Sequence, residues 1–256
     1  MKKEIKIQDK DITIYLNEDN CRKNMEANNA GLKKEKLPIV IINTFDENGE
    51  EIWDVCKHIK CPSFNFACIS NVDWDKDMSI WETEKIKGSN NGADKYIKEL
   101  TEKIVPKIVE EIYEVEEICE KDSVKYKTND EAIETKENNI YLVGYSKAGL
   151  FSIYSLYKTD MFRRVASISG SLWYPGFVEF VENNKMKVNP EKIYFSLGNK
   201  ESKTKNELFA KVEQNTKEIE TYYSKKGIQT IYEENEGNHF QDVSLRIAKA
   251  IKWILE

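Results

Sequence analysis

Two stretches near the first quarter of the chain, "LPIVIINTF" and "FNFACIS", are apolar and β-branched with no polar alternation. A strand with one wet face alternates, so these read as strands covered on both sides, the environment of a parallel sheet between helical layers. Further strands are expected at "NIYLVGY", "RVASISG", "KIYFSLG" and "QTIYEEN". Parallel neighbours need crossover connections, and helical spacing appears where they are required. Ile52, Val55, Cys56 and Ile59 share one helical face, as do Ile97, Leu100, Ile104, Ile108 and Ile112, with Pro106 expected to kink or break that second helix. Other helices are expected over 147–157, 177–183 and 207–226, and a last one over "FQDVSLRIAKAIKWIL". At the start, "EIKIQ" and "ITIYL" alternate about Asp9-Lys10-Asp11, as two antiparallel edge strands do. The expectation is α/β: about eight mostly parallel strands with an antiparallel N-terminal edge hairpin, helices on both faces and one domain spanning 1–256. Residues 17–36 form a polar connection, and the charged stretch 113–138 is expected as a solvated helical extension followed by a mobile loop.

Within "NIYLVGYSKAGLF" a buried strand delivers a serine to a strand-to-helix junction. Gly144, Ala148 and Gly149 leave little bulk around Ser146, which a sharp turn over the carboxyl edge of the sheet requires. The usual pattern G-x-S-x-G carries alanine here at its last position. Ser146 is therefore a candidate nucleophile, with helix capping as the plainer alternative.

A serine hydroxyl needs a base, and the chain has two histidines. His58 precedes the serine on the first crossover helix. His239, in "NEGNHF", follows the last strand and stands downstream of the serine, the chain order of α/β-hydrolases. An acid that orients the imidazole belongs between them, after the penultimate strand, where Glu201 is the first carboxylate of "SLGNKES". Asp242 is its rival, and a Ser-His pair without an acid is a third arrangement. Oxyanion donors are expected from the backbone N–H of Lys147 and from the loop at Thr44 or Phe45. Trp74, Trp173 and Tyr174, in loops at the same edge, are candidates to wall a substrate groove, with Trp81 equally suited to core packing.

The segment "GYSKAGLFSIYSLYKTDMFRRVASISGSLWYPGF", together with "SLGNKES" and "EGNHF", resembles the esterase branch of the α/β-hydrolases. That group includes siderophore trilactone esterases, S-formylglutathione hydrolase, feruloyl esterases and mycolyltransferases. The wording "SGSLW" and "GNKE" is most similar to the enterochelin-esterase type, and "LTEKIVPKI" looks like the family's helix ending in a proline. The resemblance implies a Ser146-Glu201-His239 triad acting on a small-molecule ester. The chain departs from it at "NTFDEN", where a His-Gly or Asp-Gly oxyanion loop is usual, and at Lys147 and Ala148. The charged stretch 113–138 has no counterpart in it.

A formal net charge of −6, with acidic and basic residues interleaved, argues against a nucleic-acid partner. Neither a leader-length nor a membrane-length apolar run is present, so a cytoplasmic location is expected and no membrane partner. Five cysteines in irregular spacing without a Cys-x-x-Cys pair argue for reduced thiols and against a zinc site. Cys56 and His58, two apart on a helix, point to different faces. No cofactor or metal is expected. An acyltransferase using the same triad, or a binding protein that keeps the fold without turnover, are the competing functions.

Overall fold

A computed structural model describes residues 1–17, 36–45, 47–84, 86–87, 91–121 and 139–256, the side chains of 115–121 excepted. Among the described residues eight strands form one sheet: β1 (Lys2–Ile7), β2 (Lys10–Tyr15), β3 (Ile39–Asn43), β4 (Asn65–Ser70), β5 (Ile140–Tyr145), β6 (Arg164–Ile168), β7 (Lys192–Gly198) and β8 (Gln229–Asn235). Their spatial order is β1-β2-β4-β3-β5-β6-β7-β8. β1 and β2 pair antiparallel, β2 meets β4 antiparallel, and every pairing from β4 onward is parallel. The expected edge hairpin and mostly parallel sheet are what the chain forms. β4 lies on one side of β3 and β5 on the other, so the winding reverses there and leaves a crevice at the carboxyl ends of β3 and β5.

The unalternating runs have a direct explanation. Along β3, Ile39 and Ile41 enter one hydrophobic cluster, while Val40 and Ile42 enter the other. The first cluster is covered by α2 (Gly92–Glu99), α3 (Val105–Lys121), α4 (Lys147–Ser155), α5 (Phe177–Asn183) and α6 (Val212–Lys225). The second lies under α1 (Glu50–His58) and α7 (Val243–Leu255).

Pro106 does not break its helix. A π turn, Leu100–Ile104, joins α2 to α3, with the Val105 N–H reaching back to the Leu100 carbonyl. This wider turn precedes a residue that has no N–H to donate, so the helical path continues and Ile97, Leu100, Ile104, Ile108 and Ile112 all stay buried. α3 extends through Lys121, into the first part of the charged stretch; 122–138, like most of the 17–36 connection, lies outside the described residues. The last helix begins at Val243 rather than Phe240, because Asp242 takes a left-handed φ of 53° and Phe240 is exposed in the loop. Among the described residues, no helix is long and apolar enough to cross a membrane.

Candidate active site

β5 ends at Tyr145, and α4 begins at Lys147. Ser146 makes the whole turn between them, with φ 56° and ψ −120°, a conformation that L residues rarely adopt. Neighbouring backbone holds it there: the Ser146 N–H donates to the Ile168 carbonyl at 3.0 Å, and the Ser146 carbonyl accepts from Ser171 N–H at 2.9 Å. The small residues are needed sterically. A Cβ on Gly144 would stand 2.0 Å from the Ala148 carbonyl oxygen, and one on Gly149 would stand 2.9 Å from Gly170 Cα.

His239 follows β8 in a short loop. Its Nε2 lies 3.0 Å from Ser146 Oγ, and its Nδ1 lies 2.7 Å from Glu201 Oε2. Tyr145 donates its hydroxyl to the His239 carbonyl, fixing the loop against the end of β5. Glu201 reaches the ring from the turn after β7, its own N–H bonded to the Gly198 carbonyl. While Oε2 faces the imidazole, Oε1 accepts from Gly198 N–H at 2.6 Å, from Ser169 Oγ at 2.7 Å and from Arg246 Nη1 at 3.3 Å. Burial pushes the Glu201 carboxyl up, but the bonds from His239, Gly198 N–H and Ser169 outweigh it and hold the group below its ordinary value. The glutamate is thus poised as an anion. Asp242 stands exposed at the start of α7, and His58 is exposed in the last turn of α1.

The remaining expected residues divide. Lys147 opens α4, so its N–H has no intrahelical acceptor and points out at the helix's positive end. Its ammonium pairs with Asp75 at 3.1 Å. Thr44 cannot supply a second backbone donor, because its N–H is already bonded to the Ile69 carbonyl at 2.8 Å while its hydroxyl donates to the Glu47 carbonyl. Phe45, next along, is 63% exposed and is the other expected donor of that loop. Trp74 packs 6.2 Å from Phe45, and both line a cleft of about 520 Å³ with Asp73, Asp75 and Lys76. Trp173 is half-buried against Phe209, ring centres 4.5 Å apart. Tyr174 does not line a groove: it is 3% exposed and donates its hydroxyl to the Trp81 carbonyl. Trp81 likewise packs among Tyr154, Phe177 and Phe180 and donates Nε1 to Pro175.

Ser169, Tyr145 and Arg246 escaped the sequence reading. Nothing marks the first two in "VGYS" or "SISG", but an arginine among the apolar residues of "VSLRIAKAIKWIL" is a signal, since a buried cation implies a buried partner.

A sheet of this order, with a left-handed serine after β5, an acid after β7 and a histidine after β8, has the α/β-hydrolase fold. No family model matches the chain. Among solved structures it is similar to an IroE-like serine hydrolase from Shewanella oneidensis, with TM-score 0.66 and 15% identity, covering 100% of this chain and 79% of that one. The BES protein from Bacillus cereus superposes with TM-score 0.64 at 12% identity, covering 100% and 95%. A ferulic acid esterase does so with TM-score 0.61 at 12% identity, covering 100% and 96%. In sequence, 87 residues are 29% identical to the uncharacterized protein YbbA of Bacillus subtilis (strain 168), covering 34% of this chain and 35% of that curated relative, about a third of its length.

Proposed function

We propose that this chain is a serine carboxylesterase acting on small-molecule esters. Ser146 Oγ attacks the ester carbonyl as His239 Nε2 takes its proton, and Glu201 holds the imidazole by Nδ1 and offsets the charge it gains. The tetrahedral oxyanion is met by the N–H groups of Lys147 and Phe45. Collapse of that intermediate breaks the bond to the alkoxy oxygen, which leaves as the alcohol with the proton from His239, and the acyl group stays on Ser146. Water then attacks the acyl carbon with His239 again as base, and the carboxylic acid departs.

One observation carries the reading: the unbroken relay from Ser146 Oγ to Nε2 at 3.0 Å and from Nδ1 to Glu201 Oε2 at 2.7 Å, on a serine held at φ 56°. Helix capping would require neither the strained turn nor the two partners, and Ser146 makes no capping bond from its side chain. The solved neighbours named as a serine hydrolase and a ferulic acid esterase support the same class of reaction. In this reading an apolar part of the substrate rests against Phe45, Trp74 and Trp173.

The test is hydrolysis of p-nitrophenyl acetate and butyrate by the wild type and by Ser146→Ala, with a fluorophosphonate probe in parallel. Ser146→Ala should lose both labelling and at least about 10³-fold in kcat. Equal turnover by the variant would remove the proposal.

A further inference from the structure

Arg246 is 1% exposed, the largest side chain so deeply buried among the described residues, yet it sits on a helix whose neighbouring residues Ile247, Ala248, Ala250 and Ile251 are buried and apolar. Packing alone would favour an apolar residue there, because a buried guanidinium loses its hydration and needs partners to offset that loss. Its contacts show where the compensation lies. Nη1 reaches Glu201 Oε1 and Ser169 Oγ, each at 3.3 Å, and Nη2 donates to the Glu236 carbonyl at 2.7 Å. One fork therefore grips the acid's free oxygen and the backbone three residues before His239. Space was kept for it: a Cβ on Gly198, the residue whose N–H also binds Oε1, would stand 2.9 Å from Nη2 and 2.4 Å from the Gly237 carbonyl oxygen.

We infer that Arg246 is the positioning residue of the active site, locking Glu201 in the orientation that presents Oε2 to His239 and coupling the acid's turn to the histidine's loop. This rests on the esterase reading above. Arg246 touches no reacting atom and acts through Glu201. With Oε1 saturated by Arg246, Ser169 and Gly198, the carboxylate cannot rotate away, and its negative charge is partly offset by a fixed cation.

Removing that cation leaves the carboxylate's field on the imidazole uncompensated. The protonated, inactive ring is then favoured, and the acid limb of kcat/KM moves to higher pH. Other charged and titratable groups stand around this cluster: Tyr145 from β5, Tyr194 from β7, Tyr232 and Glu233 from β8, Glu236 in the histidine's loop, Asp242 just before α7 and Lys249 on it. Burial raises all three phenols above their ordinary value, so they stay neutral where the limb is read. Glu233 is held by Lys249 at 2.6 Å and Tyr194 at 2.6 Å, and Glu236 accepts from Asn199 Nδ2 at 3.1 Å.

Full-length wild type, Arg246→Gln and Arg246→Lys are compared on p-nitrophenyl butyrate across pH, with rates expressed per serine labelled by a fluorophosphonate. Arg246→Gln should lose roughly 10- to 100-fold in kcat with KM within about threefold, and its acid limb should rise by about 0.5 to 1 pH unit. Arg246→Lys keeps the charge but not the fork, so its limb should stay at the wild-type position while kcat is only partly restored. A merely structural arginine would lower the count of labelled sites without moving the limb, and that result overturns the inference, as does wild-type kcat in Arg246→Lys. Should Arg246→Gln fail to fold, Arg246→Lys decides by kcat per labelled serine: a value below wild type supports the inference, and the wild-type value overturns it. Absence of labelling and turnover in the wild type would instead sink the esterase reading itself.

Discussion

At the scale of single residues, the site depends on how tightly backbone passes backbone at the elbow. The carbonyl that a Gly144 side chain would meet, that of Ala148, belongs to the first turn of α4 and cannot yield without displacing Ser146. Gly144→Ala should therefore cost about 3 kcal/mol or more in urea denaturation, with activity falling in the protein that remains folded. Retained stability and turnover would show that the turn relaxes. The serine, the histidine and the glutamate were legible because each ends a different strand in a fixed chain order, and chain order can be read without coordinates. Thr44 and Tyr174 were not. Whether an N–H is free, or a ring points inward, is decided by neighbours distant in sequence: Ile69 for one and Trp81 for the other. Arg246 was visible as an anomaly, but its partner lies 45 residues away and no local pattern points to it.

Among the elements, α1 ends in a way that can be improved. The Lys60 N–H bonds the Lys57 carbonyl at 3.1 Å and the Cys61 N–H bonds the Cys56 carbonyl at 3.0 Å, which is a Schellman motif. Its left-handed position, φ 55°, is occupied by exposed Lys60 where glycine is usual. Lys60→Gly should raise stability by roughly 0.5 kcal/mol, the relief of left-handed strain exceeding the added entropy of the unfolded chain. An unchanged or lower urea midpoint would refute this. Strand positions were readable because two-sided burial suppresses alternation, and helix positions because their apolar stripes survive. Ends were harder. The chain passes Pro106 through a π turn that no periodicity announces, and Phe240 and Val243 differ only in whether Asp242 turns left-handed first.

For the molecule as a whole, acid should be more damaging than the modest net charge suggests. Glu201, Glu111 and Glu213 are each held below the ordinary glutamate value of 4.5. Burial of Glu201 is offset by its hydrogen bonds, Glu111 is held by Lys107 and Lys3, and Glu213 by Lys217 and Ser202. Because their folded values lie below the unfolded ones, the stability they add is fully present above about pH 4.5 and is lost as pH falls through the depressed values. Urea midpoints should be level from pH 7 to 5 and drop below 4.5, and a flat profile to pH 3 would contradict the assignment. A last consequence comes from where the proposed triad hangs. Its nucleophile is rooted in β5, mid-sheet, but its base follows β8, an outermost strand whose residues are mostly half-covered. Peeling that border away would strand the serine without a proton acceptor while the centre endured. Mild denaturant should therefore silence the proposed hydrolysis before tryptophan emission registers any collapse.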